Sequence, residues 1–421
     1  MATENAAPWS ELRRDALEEI AKRLNTRTDV LHFRAVCTTW RSSIPLPPKN
    51  SFPLIKLPFP IGPNPHLNPK RRGYFTLKEP TIFSVEPINK ISDPWSTTKT
   101  WMVKIEHVTV STEPNSKVIF KEPLWRFPFQ KITQKLPKVL NLLDYKVSEV
   151  SKSYGLEFVA VGKNPDEFEF NELKSINIKK VVVSESKKGE DFAVMAVHTG
   201  FKLGVWKMGD KKWTNIDVGG ERAFYDDIAY YKGKFYAVDI KGLAISVDAS
   251  TLKTKKVALL MSPYGIGFGR GGQVKYLVKS PEELFMVDKY YDVENEMFGE
   301  LCGDSDNDGG DFPFYLRVYK LNEEECEWVQ VDSLGDLALF VGDDCSFCVS
   351  VKEYVGCKGN CVYFTDDSFS VDERDDYPAY DSGLFDLEEF TASPLRAFPG
   401  YSKIFWPPPT WLKTKPCSSG R

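Results

Sequence analysis

YYKGKFYAVDIKG, Tyr230–Gly242, reads as two short strands folded back on each other. An apolar pair precedes Lys232-Gly233, a period-two run follows, and Gly242 ends it; the two glycines supply the permissive backbone that tight hairpins demand. Working outward, similar segments recur in KVVVSES from Lys180, DFAVMAVH from Asp191 and KLGVWKM from Lys202, with MGDKKWTN as another turn. Between Phe192 and Phe340 the phrase returns three times in looser form: apolar strand, Gly/Asp/Lys turn, second strand, then an aromatic such as Trp213 or Trp328. YFTL near Tyr74 and TWMVKIEHVTV from Thr100 carry the pattern towards the N-terminus. Recurring hairpin strands are the sign of a β-propeller, whose blades bury their faces only against neighbours. Roughly 340 residues of strand pattern predict six to eight blades at ~40–50 residues each, with a β-sandwich pair as the alternative. LPKVLNLLDYKV from Leu136 is the helical candidate in this region, read as an amphipathic insertion or a fully buried strand.

The first block, Trp9–Ile44, has another period. Leu17, Ile20 and Leu24 fall at i, i+3 and i+7, and Cys37, Trp40 and Ile44 repeat that spacing, so each run carries one apolar stripe at helical period. Ser10 is placed to cap the first helix and Thr28 or Asp29 the next, because their side-chain oxygens accept the orphan N–H groups of a first turn. Asn25–Thr28 is then a turn. Units below ~40 residues need a metal, disulfides or a partner to cover this many large apolar residues. By periodicity alone, a helical hairpin packed on its own domain is an equal reading.

Leu12, the Leu17–Leu24 helix and AVCTTWRS, Ala35–Ser42, resemble an F-box. The resemblance implies a three-helix module that docks on a Skp-type adaptor and, through it, a cullin. It assigns the adaptor contact to Leu12, Leu17, Ile20, Leu24, Val36 and Trp40, with Trp40 as the hot spot. Arg13 departs from the family pattern, which has proline there. Loss of a proline at a compatible helix start costs ~0.4–1 kcal/mol in chain entropy, which weakens docking without abolishing it.

Further on, FYDDIAYYKGKFYAVD, VDSLGDLALFVGDDCSFCVS, GNCVYFTDD and the closing WPPPTWLK are similar to the C-terminal propeller-type domain of a plant F-box family of the F-box/kelch-like, SKIP type. The likeness is weakest from Tyr74 to Ser175. It implies a mainly β protein with a small N-terminal α module, and a non-catalytic substrate receptor of a cullin-RING (SCF-type) ubiquitin ligase whose propeller holds a target protein. A binding scaffold that moves no ubiquitin and a propeller enzyme such as a glycosidase are the competing readings.

The expected organisation is an F-box over 8–45, a proline-rich linker over 46–70, a propeller over 71–395 and a Trp/Pro-rich tail over 396–421. Prolines at 45, 47, 48, 53, 58, 60, 63, 65 and 69 stiffen the linker, and FPLIKLPF within it is a candidate first strand that would start the large domain near Ser51. With 421 residues, 42% hydrophobic and 13% aromatic, a sizeable core is available. A net charge of −4 with scattered Lys and Arg offers no stripe to track phosphates, so nucleic acid is not an expected partner. No apolar run reaches the ~18–20 residues that span a bilayer, and the first residues do not resemble a signal peptide. The expectation is therefore a protein without membrane partners, in the nucleus and/or cytoplasm, with NPKRRG, Asn68–Gly73, as a weak import candidate. Seven of eight cysteines lie beyond the first block without a disulfide framework, which suits free thiols.

Several motifs suggest chemistry. Asp304, Asp306, Asp308 and Gly309 open an EF-hand-like loop, but the glutamate required at position twelve is Tyr315 and a strand pattern follows, so an acidic surface insertion is the better reading. Gly267, Gly269, Gly272 and Val274 spell GxGxxGxV, yet QVKYLV after them is a strand, not the helix a dinucleotide site opens. Cys345, Cys348, Cys357 and Cys361 have spacing that could bind zinc, but CSFCVSV reads as a strand that sends Cys345 and Cys348 to opposite faces. No metal and no cofactor are expected. His32, His66, His107 and His198 stand beside no nucleophile motif, and Asp226 and Asp227, as neighbours on a strand, should face opposite ways. No catalytic residue is assigned.

Overall fold

The computed structural model describes residues 9–24, 27–45, 55–62, 72–88, 100–108, 117–124, 136, 144–161, 178–184, 192–216, 223–259, 274–291, 314–354, 356–365, 382–398, 400–401 and 403–407. Their strands form six sheets, the blades of a β-propeller. The chain enters through β1 (Lys56–Leu57) and β2 (Gly73–Lys78), then builds a second blade from β3 (Thr81–Pro87), β4 (Trp101–Val108), β5 (Lys117–Lys121) and β6 (Tyr145–Lys152). It returns with β7 (Gly155–Ala160), which pairs with β2 and completes blade 1 in the order β1-β2-β7.

The next three blades are plain antiparallel meanders. Blade 3 is β8 (Lys180–Val183), β9 (Ala193–His198), β10 (Lys202–Lys207) and β11 (Thr214–Ile216). Blade 4 is β12 (Tyr225–Tyr231), β13 (Lys234–Asp239), β14 (Ala244–Asp248) and β15 (Thr254–Ala258). Blade 5 is β16 (Val274–Lys279), β17 (Leu284–Tyr291), β18 (Phe314–Asn322) and β19 (Glu327–Gln330). These are the three recurring phrases of the sequence. Blade 6 adds β20 (Leu337–Val341), β21 (Ser346–Ser350), β22 (Cys361–Thr365), β23 (Ser382–Asp386) and β24 (Thr391–Pro394), with β20 and β22 parallel.

Local chemistry explains the hairpins. The β12–β13 turn holds Lys232 and Gly233 at φ 43° and 84°, the positive values that the twist of a two-residue hairpin demands. Strands such as Ala193–His198 are buried on both faces, which is why AVMAVH is almost continuously apolar. Most clusters of buried side chains lie between neighbouring blades: Met195, Ile228 and Phe235 join blades 3 and 4, Val238 and Met286 join 4 and 5, and Val287, Leu339 and Phe364 join 5 and 6.

The ring closes between blades 6 and 2, where Ile82 and Met102 pack with Phe340, Tyr363 and Phe405. There the Met102 N–H donates to the Ile404 carbonyl at 2.7 Å and the Trp101 indole N–H to the Phe405 carbonyl at 3.1 Å. Gly342 makes this approach possible, since a Cβ there would lie 2.4 Å from the Leu124 carbonyl oxygen. Residues 404–405 thus belong to the ring although the sequence reading put them in a tail. β1 lies in FPLIKLPF, the candidate first strand within the proline-rich stretch, and the Trp213 indole donates to the Pro58 carbonyl at 2.8 Å. Of the LPKVLNLLDYKV stretch, 137–143 lie outside the described residues, and Tyr145 begins β6.

Candidate functional site

The N-terminal module is a 3-10 turn, Trp9–Glu11, followed by α1 (Arg14–Ala21), α2 (Arg27–Ala35) and α3 (Thr38–Ser43). α1 is shorter than its stripe predicts: Arg23 and Leu24 donate to the carbonyls of Ile20 and Ala21, so the last turn tightens to i→i+3 bonding and Leu24 lies past the helix. The N-cap position of α1 falls on Arg13, which makes no side-chain cap bond, rather than on Ser10, which lies in the preceding 3-10 turn. Thr28 and Asp29 fall inside the first turn of α2 rather than before it, where Asp29 complements the helix dipole.

The module has a small core of its own. Leu17 is 0% exposed, Phe33 is buried, and the Trp40 ring lies 4.6 Å from that of Phe33. The Trp40 indole N–H donates to the Trp9 carbonyl at 2.9 Å. The Arg34 guanidinium donates to the carbonyls of Arg41, at 2.7 Å, and Ile44, which clasps α2 to α3. The six residues expected at an adaptor surface therefore differ in access. Leu17 lies wholly inside, Leu12, Ile20, Leu24 and Trp40 are half-buried, and Val36, in the α2–α3 turn, is 54% exposed. Among the described residues of the module Trp9, at 64%, is the most open large apolar side chain, and it lies outside the stripe that starts at Leu17.

A second concentration of chemistry lies where the inner strands of the propeller meet. Lys180 on β8 reaches Asp227 on β12 at 3.2 Å and the Ser346 hydroxyl at 3.2 Å. Lys179 pairs with Asp226 at 2.9 Å, Lys275 on β16 with Asp288 at 2.8 Å, and Lys104 with Asp344 at 2.8 Å. Asp226 and Asp227 do not alternate as expected, because the register of β12 shifts between Tyr225 and Asp227. That irregularity breaks the period-two rule and turns both carboxylates towards blade 5. Asp226 accepts the Lys275 N–H at 3.2 Å and Asp227 the Leu277 N–H at 2.8 Å, so the pair satisfies the free edge of β16. Burial raises the Asp226 pKa, and the Lys179 ammonium opposes the rise. Both carboxylates are thus committed to lysines and backbone donors, an arrangement suited to holding blades together.

Beside this network is a cavity of about 190 Å³ lined by Lys78, Glu106, Lys121, Tyr154, Lys179 and Asp344, among others. Lys78 pairs with Glu157 at 2.8 Å and Lys121 with Glu106 at 2.6 Å.

The cysteine cluster does not converge. Cys345, Cys357 and Cys361 belong to the core between blades 6 and 2, whereas Cys348 packs on the opposite side of β21 with the blade 5 cluster. Burial pushes the thiols of Cys345 and Cys348 up to about 11 and that of Cys361 up to about 12, and raises Cys357 further. Such thiols stay protonated, so they act as small hydrophobes. The Gly267–Gly272 and Asp304–Gly309 motifs lie outside the described residues, while the strands expected after them are present as β16 and β18.

A helical module of this size ahead of a six-bladed ring is the architecture of an F-box protein with a propeller. The family model described as the KIB1-4 beta-propeller matches residues 36–386, and the chain belongs to that family. Relatives from Arabidopsis thaliana are similar over most of the chain. F-box protein SKIP23 is 30% identical, with 96% of this chain and 95% of that protein covered. F-box protein At2g17036 is 28% identical over 96% and 95%, and F-box/kelch-repeat protein At1g64840 is 26% identical over 85% and 84%. Among solved structures, a Trypanosoma rangeli sialidase aligns with 70% of this chain and 40% of its own length, at 9% identity and a TM-score of 0.22.

Proposed function

We propose that this chain is the target-receptor subunit of an SCF-type ubiquitin ligase. The helical module docks a Skp-type adaptor and through it a cullin, and the propeller holds a target protein. The observation that carries the proposal is the exposed α2–α3 turn: Val36 is 54% exposed beside a rigid support of Leu17, Phe33 and Trp40. An apolar knob on a preorganised base suits an interface anchor. Leu17 and Trp40 act largely through that support, and Leu12, Ile20 and Leu24 supply partly open flanks.

The relatives named F-box proteins support the same reading. The glycosidase alternative needs two carboxylates available to a substrate, and Asp226 and Asp227 are engaged by lysines and backbone N–H groups. The test is co-purification with a Skp-type adaptor. Val36→Asp should abolish it at unchanged thermal stability, and full binding by that variant would refute the assignment. Target turnover then separates a ligase receptor from a scaffold: a bound partner whose level does not rise when residues 8–45 are deleted points to the scaffold.

A further inference from the structure

The helical module lies on the propeller and is not only tethered to it. β6 ends the sheet of blade 2 in the order β5-β4-β3-β6, so among the described residues no strand lies beyond the outer edge of this eight-residue strand. Strands that end the sheets of other blades face water: β15 exposes Thr254, Lys255 and Lys256 in a row, and β19 exposes Glu327 and Gln330. On β6 only Lys146 is exposed, and every other residue is half-buried. α2 supplies cover, for it lies against β6. A helix over a strand edge shields the unpaired N–H and C=O groups there from other chains.

The charges at this contact are unevenly matched. Lys152, at the end of β6, bonds Glu79 at 2.5 Å and lies 3.8 Å from Glu149, and the two carboxylates are 13% and 17% exposed. α2 brings a third carboxylate, the half-buried Asp29. Burial raises the Glu149 pKa, the Lys152 ammonium opposes the rise, and the Glu79 and Asp29 charges add to it, so Asp29 stands within electrostatic reach of the pair. Across the contact carboxylate faces carboxylate, and the Lys152 ammonium offsets the propeller's side; like charges repel more strongly the less water separates them. The Lys152 side chain is 33% exposed, so its charge can be removed from the surface of blade 2. The chain leading into the ring is anchored separately: Leu57 and Ile61 are buried with Trp206 and Trp213 of blade 3, so a movement of α2 leaves the module attached.

We infer that the helical module is latched to the propeller through the charge of Lys152. With the ammonium in place α2 sits on the edge of β6; with that charge removed, Glu79 and Glu149 repel Asp29 and the module lifts from the edge. The latch gives the chain two states, one that fixes the module relative to the ring and one that frees it within the reach of its linker. The inference concerns how the module is held and not what it binds, so it goes beyond the receptor reading and stands apart from it.

Hydrogen–deuterium exchange of the full-length protein, read by peptide mass spectrometry, tests it. In Lys152→Gln the amides of β6 and α2 should exchange about 2- to 5-fold faster than in the parent, the range open to partly screened charges, and in Lys152→Arg at the parent rate. Adding Asp29→Asn to Lys152→Gln should restore protection of β6, because it removes the charge on α2 that the two glutamates repel. That rescue separates the latch from a local role of Lys152 within blade 2, which a change on α2 would not mend. Equal protection in Lys152→Gln and the parent, equal loss in Lys152→Arg and Lys152→Gln, or a loss that Asp29→Asn leaves in place overturns the proposal. No adaptor enters the measurement, so a failure here is distinct from a failure of the F-box assignment.

Discussion

Asp227→Ala should be among the most damaging single changes in the propeller. The carboxylate accepts the Ile228 N–H at 2.7 Å and the Leu277 N–H at 2.8 Å, and pairs with Lys180 at 3.2 Å. The Lys180 and Asp227 side chains are only 8% and 3% exposed. Truncation strands a buried ammonium and two backbone donors, a loss of about 3–5 kcal/mol for breaking a buried pair from one side. At about 2 °C per kcal/mol in a domain of this size, that is a Tm lower by roughly 6–10 °C. Lys180→Met restores apolar character on the other side, so the double variant should recover part of the loss and show a coupling of about 1–3 kcal/mol. Lys179→Met is the control, because its side chain is 34% exposed and water screens its pair with Asp226. Differential scanning calorimetry of the parent protein and these four variants decides it. A loss under about 1 kcal/mol for Asp227→Ala, or no coupling to Lys180, would refute the claim that these groups tie blades 3, 4 and 5 together.

Three further outcomes follow from individual sites. His198 is held neutral: burial, then the nearby Lys202, push its pKa down to about 4 from 6.5, so its contribution is complete above pH 6.5 and declines as pH falls from 6.5 to 4, by up to about 3 kcal/mol. Thermal melts across that window should show the decline in the native protein and a shallower one in His198→Gln. Arg13 already has φ −64°, the value a proline ring imposes, so Arg13→Pro should stabilise the helical module by ~0.4–1 kcal/mol and tighten adaptor binding two- to five-fold; unaltered binding would count against α1 as part of that contact. The raised thiol pKa values predict that iodoacetamide at pH 8 leaves Cys345, Cys357 and Cys361 unmodified until the chain is unfolded, a result read by peptide mass spectrometry, and that chelators leave the Tm unchanged.

Much of the architecture was legible in short stretches. The Lys232-Gly233 hairpin, the buried run of β9 and the recurrence that became blades 3, 4 and 5 each follow from periodicity and turn chemistry within ten or so residues. So did the separation of Cys345 from Cys348, since alternation along a strand is local. What depends on remote neighbours was not legible. The direction of Asp226 and Asp227 was missed because a register shift in β12 is set by the edge of β16 that it serves. The tail boundary missed Ile404 and Phe405 because their partners, Met102 and Trp101, lie some three hundred residues away in the chain.

Sequence alone thus determined the two periods of this protein, 3.6 near the N-terminus and 2 beyond it, and with them a helical module followed by stacked hairpins. These are consequences of where each Cβ points along its own backbone. Tertiary structure decided which apolar residues of the module are core and which are surface, placing Leu17 inside and Val36 outside. It also decided that Lys179, Phe201 and Phe224, from three separate segments, share one face. Burial and proximity are properties of the closed ring, set by which blade packs against which, and no local period encodes them.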